Sequence, residues 1–281
     1  MTERASSIGF VPTDVSRRNN VRVFGRGTQP MLFAHGFGCD QNMWRFLWPQ
    51  FEDDYRIVLF DYVGSGKSDL STYDPERYSK LDGYAQDIVD IVRELDLRDV
   101  IFVGHSVSSM IGMLAAIEEP DRFAKLLLVC PSPSYINHPP DYHGGFDRPD
   151  IEGLLDLMDK NYIGWANFLA PVIMKNDERP ELSAELEASF CSTDPVIARR
   201  FAEVTFLSDN REDLQRVPTP VLVIQSEVDA IAPPAVGEFV ADQVPQSTYR
   251  VIDAVGHCPH MSHPEETVAA MREYLQVPTP A

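Results

Sequence analysis

The sequence has little that would bind it to a polyanion or a membrane. Lys and Arg together number 24 against 43 Asp and Glu, a formal net charge of -19. A nucleic acid is held by clustered basic side chains that release its counterions, so no nucleic-acid partner is expected. An anionic lipid surface is disfavoured on the same ground. No run of 18 apolar residues occurs, which excludes a membrane-spanning helix. The opening stretch MTERASSIGFVPTDVSRRNN lacks the apolar segment of a secretory signal. Cysteine is scarce as well. Cys39, Cys130, Cys191 and Cys258 match neither a zinc-ribbon spacing nor a disulfide framework, and are expected as free thiols in the cytoplasm. Internal repeats and low-complexity tracts are missing too.

What is present is a chain of 281 residues with 44% apolar content, enough for one well-buried domain carrying an insertion. Short apolar runs at 21–24, 31–34, 57–60, 100–103, 126–130, 221–225 and 249–252 read as strands. Helical patterns at 81–95, 107–118, 234–244 and 264–275 lie between or after them. Such alternation predicts a mostly parallel sheet with helices on both faces. Residues 131–216 break the rhythm: turn-rich chemistry (PSPSYINHPPDYHGGF) leads into helical patterns at 151–161, 163–174, 181–193 and 195–207. An insertion at the carboxyl end of a strand falls over the crevice where open α/β sheets bind ligands. The expected organisation is a flexible extension over 1–18, an α/β core over 19–130 and 217–281, and a helical cap over 131–216.

The run VIFVGHS followed by VSSMIGMLAAIEE reads as strand, sharp turn and helix, with G-x-S in the turn. That context raises the hydroxyl of Ser106 above the sheet at a helix N-terminus, where developing negative charge is favoured. Gly104 keeps the strand close to the helix, whereas Ser108 replaces the glycine usual two residues after the nucleophile. In a fold of this order an acid follows a late strand and a histidine follows the last one. After 221–225 comes SEVDAIAPP, with Asp229 as candidate acid and Glu227 as competitor. After 249–252 comes DAVGH, where Gly256 turns the chain and His257 can reach back to Ser106. An oxyanion needs two backbone N–H donors. Val107 supplies one, and Phe37 in MLFAHGFGCD the other.

Two motifs are rejected. GSGKS at Gly64–Ser68 resembles a phosphate loop, but position 61 is Asp where that pattern needs Gly. HGGF at His143–Phe146 resembles a lipase oxyanion motif but follows no early strand. A zinc site from Cys258, His260 and His263 is not expected, because Pro259 and Pro264 break helical spacing and no second ligand cluster is evident.

FAHGFGCDQNMW, LFDYVGSGKSDL, VGHSVSSMIGMLAA, NYIGWA, FCSTDPVIARRFA and GHCPHMSHPEET together resemble the RsbQ-like branch of the α/β-hydrolases, to which the plant karrikin and strigolactone receptors belong. The resemblance runs over about residues 18–276 and takes in GHSVS, so Ser108 is compatible with it; His35 stands where Pro is expected in the RsbQ-type members. It implies an α/β-hydrolase fold with Ser106, Asp229 and His257 as triad, Phe37 and Val107 as oxyanion donors, and four cap helices over an aromatic pocket. The pocket residues it implies are Phe37, Phe146, Trp165, Phe168 and Phe206. The implied activity is hydrolysis of a small hydrophobic ester or lactone through an acyl-enzyme, without metal or organic cofactor. The resemblance further implies a stress-signalling role with a phosphatase-type protein partner; a purely metabolic esterase, lactonase or C–C hydrolase is the alternative.

Overall fold

The computed structural model describes residues 14–276. The chain opens with α1 (Asp14–Arg18) and continues through β1 (Arg22–Phe24), β2 (Pro30–Ala34), β3 (Arg56–Leu59), α2 (Leu81–Glu94), β4 (Val100–His105), α3 (Val107–Glu118) and β5 (Phe123–Val129). Four helices follow: α4 (Arg148–Lys160), α5 (Tyr162–Met174), α6 (Pro180–Ser192) and α7 (Pro195–Phe206). The core resumes with β6 (Val221–Val228), α8 (Pro234–Gln243), β7 (Ser247–Val255), α9 (Pro259–Ser262) and α10 (Pro264–Leu275).

The strands form one sheet in the order β1-β3-β2-β4-β5-β6-β7. β1 pairs antiparallel with β3, and every other pairing is parallel. All residues of β2 and β4 are buried, as strands covered on both faces must be. The two faces carry separate apolar layers. One packs Phe33, Trp44, Leu127 and Ile224 with residues of α4–α7; the other packs Phe60, Tyr84, Phe102 and Val223 with α2, α3 and α8. Among the described residues no helix is long and apolar enough to cross a membrane.

The expected flexible extension is corrected at its end. Residues 1–13 lie outside the described region, but Asp14–Arg18 is helical with Ser16 buried. Arg18 pairs with Asp87 at 3.3 Å and with Asp90 at 2.9 Å, and Asn19 Nδ2 donates to Asp87 at 3.0 Å. Asp87 has no side-chain exposure. A buried carboxylate needs such partners; Arg18 of α1 and Asn19 just after it supply two, and Arg77 and Tyr78 supply others at 2.7 and 2.9 Å.

The helices between β5 and β6 carry legible start signals. A capping box from Asp147 and Asp150 starts α4, Asn161 caps α5 through Gly164 N, and Asp194 caps α7 through Val196 N and Ile197 N. Pro180 and Pro195 stand in the first turns of α6 and α7, where a missing N–H does no harm.

Candidate active site

Three loops at the carboxyl ends of β4, β6 and β7 carry Ser106, Asp229 and His257. Ser106 follows β4 in the middle of the sheet with φ 55° and ψ -124°, a strained conformation that points its side chain away from the strand. Its own N–H is anchored on Val129 O at 2.9 Å. A Cβ at Gly104 would come within 2.6 Å of the Phe102 ring and 2.8 Å of Ser108 O, so nothing larger fits beside the turn. Ser108 is accommodated by its hydroxyl, which donates to His35 O and lies 3.0 Å from Tyr62 OH. The substitution in the motif thus ties the first turn of α3 to the end of β2.

His257 Nε2 lies 2.7 Å from Ser106 Oγ, and His257 Nδ1 lies 2.7 Å from Asp229 Oδ2. The other oxygen of Asp229 accepts from Ile231 N at 2.8 Å and Ala232 N at 3.0 Å. Burial would push this carboxyl up, but the adjoining His257 and these donors together hold it below the usual range. Glu227 is the exposed penultimate residue of β6 and does not meet the histidine. The histidine is positioned by its backbone: Gly256 has φ +95°, and a Cβ there would strike Met174 O at 2.1 Å. The next amide, His257 N, donates to Ile173 O at 2.8 Å. The C-terminal turn of α5 is therefore joined directly to the loop that carries the imidazole.

Phe37 sits in the turn closed by Cys39 N donating to Gly36 O at 3.3 Å. Ser189 of α6 fastens that turn by donating to Gly38 O at 2.7 Å. Val107 is the first residue of α3, one step after Ser106. Both amides therefore belong to the two segments that flank the serine hydroxyl.

Above Ser106 and His257 lies a small chamber of about 30 Å³, lined by Phe37, Tyr135, Phe190, Phe206, Ile173 and Ile231 among others. That volume holds about two waters. Trp165 backs the chamber, with its ring 6.0 Å from Phe37 and 5.0 Å from Phe190. The expected lining is corrected at three positions: Trp165 stands behind the chamber wall, and two other aromatics lie elsewhere. Phe146 and Phe168 face a separate apolar groove of about 510 Å³ between α4 and α5, and Phe168 is 57% exposed. The reason is that α5 is apolar nearly all round, so its sequence does not say which aromatic points inward. Phe206 and Ile231 line both spaces and form the partition.

Tyr135 went unrecognised in the sequence. Its hydroxyl lies 3.0 Å from Ser106 Oγ, and burial pushes its phenol well above the ordinary value. It follows β5 in an irregular stretch where no periodicity marks an inward side chain. Phe190 was missed too; it belongs to the buried stripe Leu182–Leu186–Phe190 of α6, whose i, i+4 spacing was available.

The chain matches the profile described as "Alpha/beta hydrolase family" over residues 31–270. Among curated proteins it is 37% identical to "Karrikin insensitive 2 receptor CA" of Petunia hybrida, over 93% of this chain and 97% of that protein. It is 36% identical to "Strigolactone esterase D14" of Arabidopsis thaliana, over 91% of this chain and 96% of that one. Among solved structures, a hydrolase from Oleispira antarctica superimposes with a TM-score of 0.92 at 47% identity, covering 96% of this chain and 99% of that one.

Proposed function

Because this chain belongs to the alpha/beta hydrolase family, we propose that it is a serine hydrolase acting on small hydrophobic esters or lactones. The observation that carries the reading is the pair of 2.7 Å contacts running from Ser106 Oγ through His257 to Asp229. His257 takes the Ser106 proton as the oxygen attacks the carbonyl carbon, and Asp229 holds the ring in the tautomer that accepts at Nε2. The amides of Phe37 and Val107 receive the oxyanion. His257 then returns the proton to the leaving alkoxide, and water, deprotonated by the same ring, releases the acid. Relatives named strigolactone esterase and enol-lactonase support an ester or lactone as substrate class.

Residues 131–216 act in this reading as a cap. A chamber of about 30 Å³ is too small for any ester, so the cap must shift for substrate to bind. A cap that moves on binding suits an RsbQ-like stress-signalling role in which a phosphatase-type partner reads the liganded form. Similarity to proteins named as receptors supports this over a purely metabolic esterase. Slow turnover with ligand-dependent capture of that partner is the outcome expected; fast turnover of one ester with no partner would favour the metabolic role.

The catalytic assignment is tested by a fluorophosphonate probe. Wild type is expected to be labelled at Ser106 and Ser106→Ala to show no labelling; equal labelling of the variant refutes the assignment.

A further inference from the structure

His105 and Cys258 flank the site along the chain, one immediately before Ser106 and the other immediately after His257. With His260 they bring three ligand atoms within 4.8 Å of one another, and all three residues are buried. No second ligand cluster was evident in the sequence beside Cys258 and His260, because His105 comes from the end of β4, more than 150 positions away. Cys258 Sγ lies 3.9 Å from His105 Nε2. A three-coordinate d10 ion with bonds of about 2.0 Å to nitrogen and 2.3 Å to sulfur would hold such atoms about 3.7 Å apart. His260 has no exposure, and neither of its ring nitrogens has a partner among the described residues. A buried polar group left so calls for an account. His105 and Cys258 also line the chamber with Ser106 and His257, which provides a path inward.

Charge selects the ion. Two neutral imidazoles and one thiolate carry a single negative charge. A monovalent cation makes the cluster neutral, whereas a divalent one leaves a net positive charge in an apolar interior. The nearby carboxylate of Asp229 is already occupied by His257 and two amides. Thiolate with imidazole is also a soft donor set suited to Cu(I).

We propose that His105, Cys258 and His260 form a buried site for a monovalent thiophilic cation, Cu(I), and that filling it inhibits the enzyme. On binding, the Cys258 S–H bond breaks and its proton leaves to solvent, while the sulfur lone pair goes to the metal; nothing is oxidised or reduced. The His105 ring proton moves from Nε2 to Nδ1. His105 Nε2 then gives up its 2.8 Å bond to His257 O, and the backbone of His257 loses that restraint. Binding does not depend on the proposed hydrolysis; inhibition does.

The test uses the full chain carrying Cys191→Ser, which removes the exposed thiol, and Ag(I), a d10 monovalent probe, in chloride-free buffer. One Ag(I) per chain is expected by elemental analysis, with quenching of tryptophan emission, because the Trp44 ring lies 4.7 Å from that of His260. Cys258→Ser and His260→Gln should each weaken binding by about 100-fold, and Cys39→Ser should retain it. Zn(II) at equal concentration should not bind. X-ray absorption of the Cu(I)-loaded chain should show one sulfur and two nitrogens. The site is overturned if Cys258→Ser, with an unchanged thermal melt, binds Ag(I) as tightly as the parent, if Zn(II) binds equally, or if the ion has two sulfur ligands. Stoichiometric binding without loss of p-nitrophenyl acetate hydrolysis overturns the inhibitory half. A metal-free chain that hydrolyses no ester counts against the proposed function, and the site is then decided by the titration.

Discussion

Tyr135 OH and His257 Nε2 meet the same atom, Ser106 Oγ, at 3.0 Å and 2.7 Å. The serine proton is directed at the imidazole, so the phenol is the donor in the other contact. In the proposed mechanism, a phenol kept protonated by burial donates to an oxygen that gains negative charge as it attacks. Tyr135→Phe is therefore expected to lower kcat/KM about three- to tenfold, the worth of one net hydrogen bond, with the larger part in kcat. Steady-state hydrolysis of p-nitrophenyl acetate measures this, and an unchanged kcat would deny the phenol any part in the attack.

Asp229→Asn keeps the shape of the acid but lets the side-chain amide meet His257 Nδ1 and favours the wrong ring tautomer. A loss of about 10³- to 10⁴-fold in kcat is expected, with binding of a substrate analogue little changed. Glu227→Gln, at an exposed position, is expected to leave kcat within about twofold of wild type. Equal losses in the two variants would reassign the acid.

Acid sensitivity follows from three histidines held neutral by burial. Desolvation lowers His35, His105 and His260, and His105 is pushed down to about 3 by burial and by neighbouring His257. In the unfolded chain each takes up a proton below about pH 6.5. Their contribution to stability is complete above that pH and declines as pH falls toward the folded values, by about 1.4 kcal/mol per pH unit for each group. Urea midpoints measured from pH 7.5 to 5 should fall in the lower half of that range, and His260→Gln should flatten the decline. A midpoint constant down to pH 5 would show that these rings are protonated in the folded protein.

Phe206 separates the catalytic chamber from the groove between α4 and α5. Phe206→Ala joins the two spaces. Relative kcat/KM on p-nitrophenyl octanoate against acetate is expected to rise at least about fivefold, close to 1 kcal/mol, alongside a stability loss of about 3–5 kcal/mol from the truncated ring. An unchanged acyl-chain profile in a folded variant would mean that longer chains take another route.

Much of this arrangement was legible in the chain itself, for reasons that differ by element. β4 and α3 stood out because a fully apolar run, a glycine and a serine at a helix start have few other uses. The helices α4 to α7 fell close to their expected spans from their apolar patterns, although α4 starts three residues earlier than expected, behind its cap Asp147. The aromatic lining was partly misread. On α5, Trp165 is buried and Phe168 exposed, and only packing against the neighbouring helices tells them apart. Tyr135 and the meeting of His105 with Cys258 and His260 depend on loops converging from distant parts of the chain, which no spacing encodes. The last turn of the expected extension was hidden for a similar reason: α1 is only five residues long and is held by Asp87 and Asp90 of α2.

The bond from His257 N to Ile173 O makes the roof and the base parts of one lever. Gly256 leaves no slack there, since the turn already touches Met174 O. A displacement of α5 large enough to admit a ligand must tug on the strip of chain that aims the imidazole. Under the opening proposed above, access and alignment are tied to the same bond, so a chain gaping for its guest is expected to hold its base out of line until the roof settles.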